Sequence, residues 1–239
     1  MKDSVIMDLL LPEVTIEDVF EVEGADYSKR PPRSSLVELH RRILDEAPTW
    51  ITPKAIWREV DIKGVEGQEL YLEDGKVLTS AVLTKVAGTA EKLVIYSVTI
   101  GEGIEQRLSH YQDGGKITEA FALDATGTAY LTKLIYIVQK HLEEIYHGMD
   151  MKCTFALGPG HSYWKGLEDL QVLFHFLQAE RINLRLNSSN LIMPRKSVAV
   201  VMGVGNHIPD TEGKTHCHFC HLQKTCQLSQ TKKKSPYNL

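Results

Sequence analysis

The sequence predicts an α+β fold, and three observations predict it. Helical and β-type stretches do not alternate as βαβ units along the chain. One helical stretch, 117–147, carries a stripe of Leu131, Leu134, Ile135, Val138, Leu142 and Ile145 at helical spacing. Two apolar, β-branched runs, Lys92–Ile100 and Val198–Met202, are short enough to be buried strands. The chain has 239 residues, room for one large domain or two small ones. Its 43% hydrophobic and 24% charged residues are those of a soluble globular protein.

Taken in order, the first 33 residues are mixed. Ile6–Leu11 reads as a short strand or a helical turn, and 26–33, with Pro31-Pro32, reads as a linker. Ser34 or Ser35 caps a helix over 36–47, with Leu36, Leu39, Ile43 and Leu44 on one face and Pro48 and Pro53 beyond its end. Ala55–Ile62 alternates as a strand. Leu70–Leu72 and Val77–Leu78 form a hairpin around Asp74-Gly75. A short helix follows at 81–86, and Gly101 breaks the strand at 92–100. A helix over 102–111 stops at Asp113-Gly-Gly115. In the long helix Asp124 reads as a local hydrogen-bonding or capping residue near its start. Gly127 costs that helix about 1 kcal/mol against alanine and lets another backbone approach closely.

From 155 onward the chain reads as a turn, a helix and a strand. The turn is Ala156-Leu157-Gly158-Pro159-Gly160-His161-Ser162-Tyr163-Trp164. Two glycines around a proline exclude any regular element there. They bring bare backbone to the surface beside aromatic side chains and a histidine. The helix begins at Gly166, with Leu167, Leu170, Leu173, Phe174 and Leu177 at helical spacing and Glu168 and Asp169 in its first turn. Arg185–Asn190 is a polar stop before the final strand.

Charge and hydropathy exclude several function classes. The net charge of −4 excludes nucleic-acid binding by the molecule as a whole. Lys232-Lys233-Lys234 reads as a solvated end. No apolar stretch reaches the roughly 20 residues of a membrane helix, and Met1–Asp8 has an acid where a signal peptide would be apolar. A cytoplasmic location is expected. Two nucleotide motifs are incomplete. Gly203-Val-Gly205-Asn-His-Ile208 lacks its third glycine, and Gly213-Lys214-Thr215 lacks the glycine five residues earlier.

The cysteines are uneven: Cys153 stands alone, while Cys217, Cys220 and Cys226 crowd into ten residues. A C-x2-C pair lets two thiolates reach one ion, and Cys226 supplies a third. Zinc would take one more ligand, from His216, His218 or His221. An iron–sulfur cluster would want a fourth thiolate, and Cys153 is the one left. Three reduced thiols on a loose tail is the alternative.

Gly158-Pro159-Gly160, Ala179-Glu180-Arg181 and Leu191-Ile-Met-Pro-Arg-Lys-Ser-Val198 together resemble the activation domain of cobalamin-dependent methionine synthase, in its stand-alone bacterial version. Thr99-Ile-Gly101 with Glu105, and Leu123-Asp-Ala-Thr-Gly-Thr-Ala129, fit the same family, so the likeness spans about residues 90–205. The resemblance implies a twisted antiparallel sheet with flanking helices. It also implies S-adenosylmethionine held at Gly158, Pro159, Gly160, His161 and Tyr163, with cobalamin carried by a partner. That partner would be a corrinoid methyltransferase, or a methionine synthase lacking its own activation domain, with a reductase as electron source. The implied organisation is an N-terminal segment 1–33, an activation-domain-like body 34–205 and a cysteine-rich tail 206–239. A corrinoid-protein interaction module without the methyl-donor site, and a small metal or iron–sulfur redox carrier, remain as alternatives.

The chain departs from the family pattern at charged positions. Ala156 stands where the family's loop opens with arginine, and His161 stands where tyrosine follows Pro-Gly. Thr132 stands for a helix glutamate, and Asn187-Ser188-Ser189 replaces Thr-Glu-Ser. Charged ligand groups lose partners at each of these changes.

Overall fold

The computed structural model describes residues 3–24, 27, 31–209, 211, 213–226, 229 and 231. The Lys232–Lys234 run and parts of the 26–33 linker lie outside them.

The N-terminal segment supplies a strand, β1 (Val5–Asp8), and a helix, α1 (Ile16–Glu23). The helix starts at Thr15 with a reciprocal cap. The Thr15 hydroxyl accepts from the Asp18 N–H, and the Asp18 carboxylate accepts from the Thr15 N–H. Helix α2 (Ser34–Glu46) has Arg33 at its N-cap, so Ser34 and Ser35 lie inside the first turn instead of capping it. A short 3₁₀ turn over Ala47–Trp50 carries Pro48. Strand β2 (Lys54–Glu66) follows, then the hairpin of β3 (Glu69–Leu72) and β4 (Val77–Thr79).

Next come α3 (Ala81–Ala87), β5 (Lys92–Thr99), α4 (Gly103–Asp113) and α5 (Ile117–His147). After β6 (Lys152–Cys153), the chain is irregular until α6 (Leu170–Leu177). A two-stranded ribbon, β7 (Arg185–Leu186) with β8 (Ile192–Met193), precedes β9 (Ser197–Gly205).

The main sheet runs β4-β3-β2-β5-β9-β6, and every pairing is antiparallel. Strand β2 is long enough to share one edge between two partners: β1 against its first residues and β3 against its last. The outermost strands are short, with three residues in β4 and two in β6.

Strands β5 and β9 are buried on both faces, which explains their unbroken apolar runs. On one face Val94, Tyr96, Val98, Val200, Met202 and Val204 pack with α1, α2, α4 and α5. On the other, Leu93, Ile95, Ala199 and Val201 pack with α3, α6, Trp164 and the β3–β4 hairpin. Leu134, Val138 and Leu142 of α5 are fully buried, and Leu131, Ile135 and Ile145 are partly so. Tyr130 and Tyr146, outside the expected stripe, are also buried.

Gly127 makes room for side chains, not backbone. A Cβ there would meet Ile104 at 3.1 Å and Ile100 at 3.4 Å. Asp124 lies two turns inside α5 and does not cap it; its carboxylate pairs with Lys196 Nζ at 2.8 Å. Among the described residues no helix is long and apolar enough to cross a membrane.

Candidate functional site

The turn is seated on the outer edge of β9. Leu157 exchanges both backbone hydrogen bonds with Val201, and Gly203 N–H donates to the Thr154 hydroxyl. Gly158 then lies so close to β9 that a Cβ would meet Val200 at 3.0 Å and the Ala199 carbonyl at 3.1 Å. Gly160 has φ +86°, which glycine adopts without strain. The turn closes on itself through Gly160 N–H to the Trp164 carbonyl and Trp164 N–H to the His161 carbonyl.

Trp164 anchors the loop. It is 2% exposed, and its Nε1–H donates to Asp169 Oδ2 at 2.8 Å. The same carboxylate oxygen accepts the Thr79 N–H at 3.0 Å. Asp169 is the N-cap residue of α6, and Glu168 precedes the helix, so neither lies in its first turn as expected from sequence. Asp169 is committed to tying the turn to β4.

Beside this turn lies an apolar cleft of about 330 Å³. Pro159, Gly160 and His161 form one wall. Leu167, Leu170, Leu191 and Ile192 face them, and Arg195, Ser197, Val198 and Ala199 complete it. Three of the five residues proposed from sequence thus line the cleft. Gly158 and Tyr163 are not in its lining; Gly158 N–H donates to the Tyr163 hydroxyl at 3.4 Å. Bare backbone was expected to hold a ligand here. The Gly158 and Gly160 N–H groups are instead spent within the turn.

Sequence reasoning missed Arg195, the cationic side chain in this cleft. Its guanidinium is mostly exposed, and Nε lies 3.8 Å from Glu105, which also accepts the Arg195 backbone N–H. Arg195 belongs to the segment Leu191–Val198, so its place beside the turn was half visible. A second cleft of about 560 Å³, more polar, lies across the same segment, lined by Lys54, Glu102, Glu105, Arg185 and Met193 among others.

The positions that depart from the family pattern are filled quietly. Ala156 is partly buried against the α5 face of the core. The Thr132 hydroxyl donates to the Thr128 carbonyl of its own helix. The Asn187 side chain accepts the Ser189 and Leu191 N–H groups, closing a tight loop.

The cysteine-rich tail returns to the turn as a strap over 213–226. Its one helical turn, His216–Phe219, places the His216 ring 6.0 Å from His161 and 6.1 Å from Tyr163. His161 and Tyr163 are themselves stacked, with centroids 5.2 Å apart and planes 5° from parallel. Phe219 packs on Phe155, Lys85 Nζ lies over the Phe219 ring, and the Ser162 hydroxyl reaches Cys220 Sγ at 3.3 Å. Burial lowers both imidazoles, His216 to about 4, so both rings are neutral at neutral pH.

Among the described residues no three His, Cys, Asp or Glu side chains converge at metal-holding distance. Cys217, Cys220 and Cys226 therefore form no such set here. Cys153 cannot complete one, because it packs on the α5 face of the sheet while Phe219 of the strap packs on the other.

Among solved structures this chain is similar to the crystal structure of the MetH reactivation domain bound to AdoHcy. The TM-score is 0.61 at 11% identity, covering 87% of this chain and 80% of that one. No protein-family model matches the sequence, and no curated protein matches it. The shared architecture is a curled antiparallel sheet with helices on its faces, as the resemblance implied.

Proposed function

We propose that this chain is an activation-domain-like accessory protein that presents S-adenosylmethionine to a corrinoid methyltransferase, such as a methionine synthase lacking its own activation domain. The observation that carries the reading is the cleft beside Gly158–His161, on a scaffold shared with a domain whose structure holds AdoHcy. Its leucine, isoleucine and valine walls suit the apolar faces of an adenosyl thioether or sulfonium. Arg195, exposed at its wall, suits the ligand carboxylate.

Methyl transfer from a sulfonium breaks one C–S bond and forms one bond to the acceptor, and no proton moves. The protein's task is then to position the donor and leave its methyl group open to the partner. Cobalamin on the partner would supply the nucleophile, and a reductase its electron. His161, held neutral by burial, adds no positive charge beside the sulfonium.

Losing one charge-assisted hydrogen bond costs roughly 1.5–3 kcal/mol, about tenfold to a hundredfold in affinity. With Ala156 and Thr132 uncharged, the isolated protein should bind S-adenosylmethionine weakly and the complex with a corrinoid protein more tightly. Calorimetric titration with and without that partner tests this. No heat of binding in either condition would sink the reading. One observation favours a second reading, an interaction module without a methyl-donor site: the turn's glycine N–H groups are already used inside the turn.

A further inference from the structure

We propose that the stacked His161–Tyr163 pair is a seat for a planar heteroaromatic group of the adenine type, and that the C-terminal strap keeps this seat filled with the His216 ring. The inference rests on the reading above and names the regulation of the same site.

Three rings meet at this point in a near-regular triangle, with sides of 5.2, 6.0 and 6.1 Å. Such separations are those of stacked and tilted aromatic pairs. The turn supplies two of the rings on a fixed frame, since Trp164 and Leu157 pin it to the body. The strap supplies the third from more than fifty residues away in sequence. His161 also lines the apolar cleft. His161 is thus common to the cleft and the seat.

Ring contacts, the Lys85–Phe219 contact and a hydroxyl–sulfur hydrogen bond join the strap to the body. No strand of the strap joins the sheet among the described residues. A neutral imidazole offers a smaller π-face than a purine, so a purine ring competes for the seat on favourable terms. Closure and ligand binding then exclude each other, and the strap lowers apparent affinity by the fraction of time it is closed.

Calorimetry on the full chain and on His216→Gly, each titrated with adenosine and with S-adenosylmethionine, tests this. His216→Gly should bind both about tenfold more tightly, as expected if the strap is closed some nine-tenths of the time. In the unmodified chain, saturating adenosine should raise hydrogen exchange in residues 213–222. Equal affinities in the two proteins, or no change in exchange, would overturn the strap while leaving the cleft reading intact. A gain for S-adenosylmethionine with none for adenosine would also overturn it, because the ring alone should sense the seat. If neither protein binds either probe, the cleft reading falls and this inference with it.

Discussion

On one face of the sheet, β5 and β9 are covered by α5, 31 residues of unbroken helix, with α1, α2 and α4 around it. On the other face the same strands are covered by two short helices, an irregular stretch over 154–169 and side chains held by single hydrogen bonds. The first face is closed by periodic apolar burial. Its polar groups are paired across elements, as Tyr146 of α5 is with Glu59 of β2. The second face is closed by loops whose backbone groups must find partners one at a time. The difference shows where this fold keeps rigidity and where it leaves room. The cleft, the strap and the departures from the family loop all lie on or beside the irregular covering.

The comparison breaks most readily at the centre of α5. Leu134 is fully buried, and Leu134→Ala should cost about 2–5 kcal/mol. Urea unfolding would measure it, and ligand affinity should stay within twofold. Equal losses of stability and affinity would show that the two faces are not separable. A smaller change tests the second face. Trp164→Phe removes the donor to Asp169 and should cost about 1–3 kcal/mol. It should also weaken S-adenosylmethionine binding, because the turn loses its anchor. Unchanged binding would mean that the Leu157–Val201 pair alone sets the turn.

The gentlest test leaves stability untouched. Burial, with the Glu143 carboxylate nearby, pushes the Cys153 thiol up to about 12. The thiolate is the reactive form, so Cys153 should resist alkylation in the folded protein until well above pH 10. A raised thiol pKa stabilises the fold below the ordinary thiol value and loses that contribution as pH rises towards 12. Iodoacetamide at pH 8, read by mass spectrometry, should therefore label the strap cysteines first and Cys153 only after unfolding. Early labelling of Cys153 would place it outside the α5 core.

What the sequence disclosed follows the same division. The stripe on α5 and the runs at β5 and β9 were legible because burial there repeats with the period of the element. The α1 helix went unread in the mixed first 33 residues, although Thr15 followed by Asp18 is a capping pair and Gly24 ends the helix. The pairing of β1 with β2 left no local trace, since it joins residues some fifty apart. Around the site, the turn was visible through Gly158-Pro159-Gly160 and the β8–β9 segment through its proline and basic residues. The start of α6 was misplaced because Asp169 serves Trp164 and Thr79, which no local pattern announces. The ring contact of His216 with His161 was out of reach for the same reason. Clustered cysteines suggested a ligand set, yet spacing alone does not make side chains converge.

The short outer strands carry one more consequence. An exposed sheet edge offers a row of free N–H and C=O groups to any other chain in extended form. Here the main sheet ends in three residues at β4, two at β6 and four at β1 beside β2, and the turn lies along the edge of β9. Little main chain is left for edge-to-edge growth. A sheet with such short edges is thereby guarded against sticking to copies of itself.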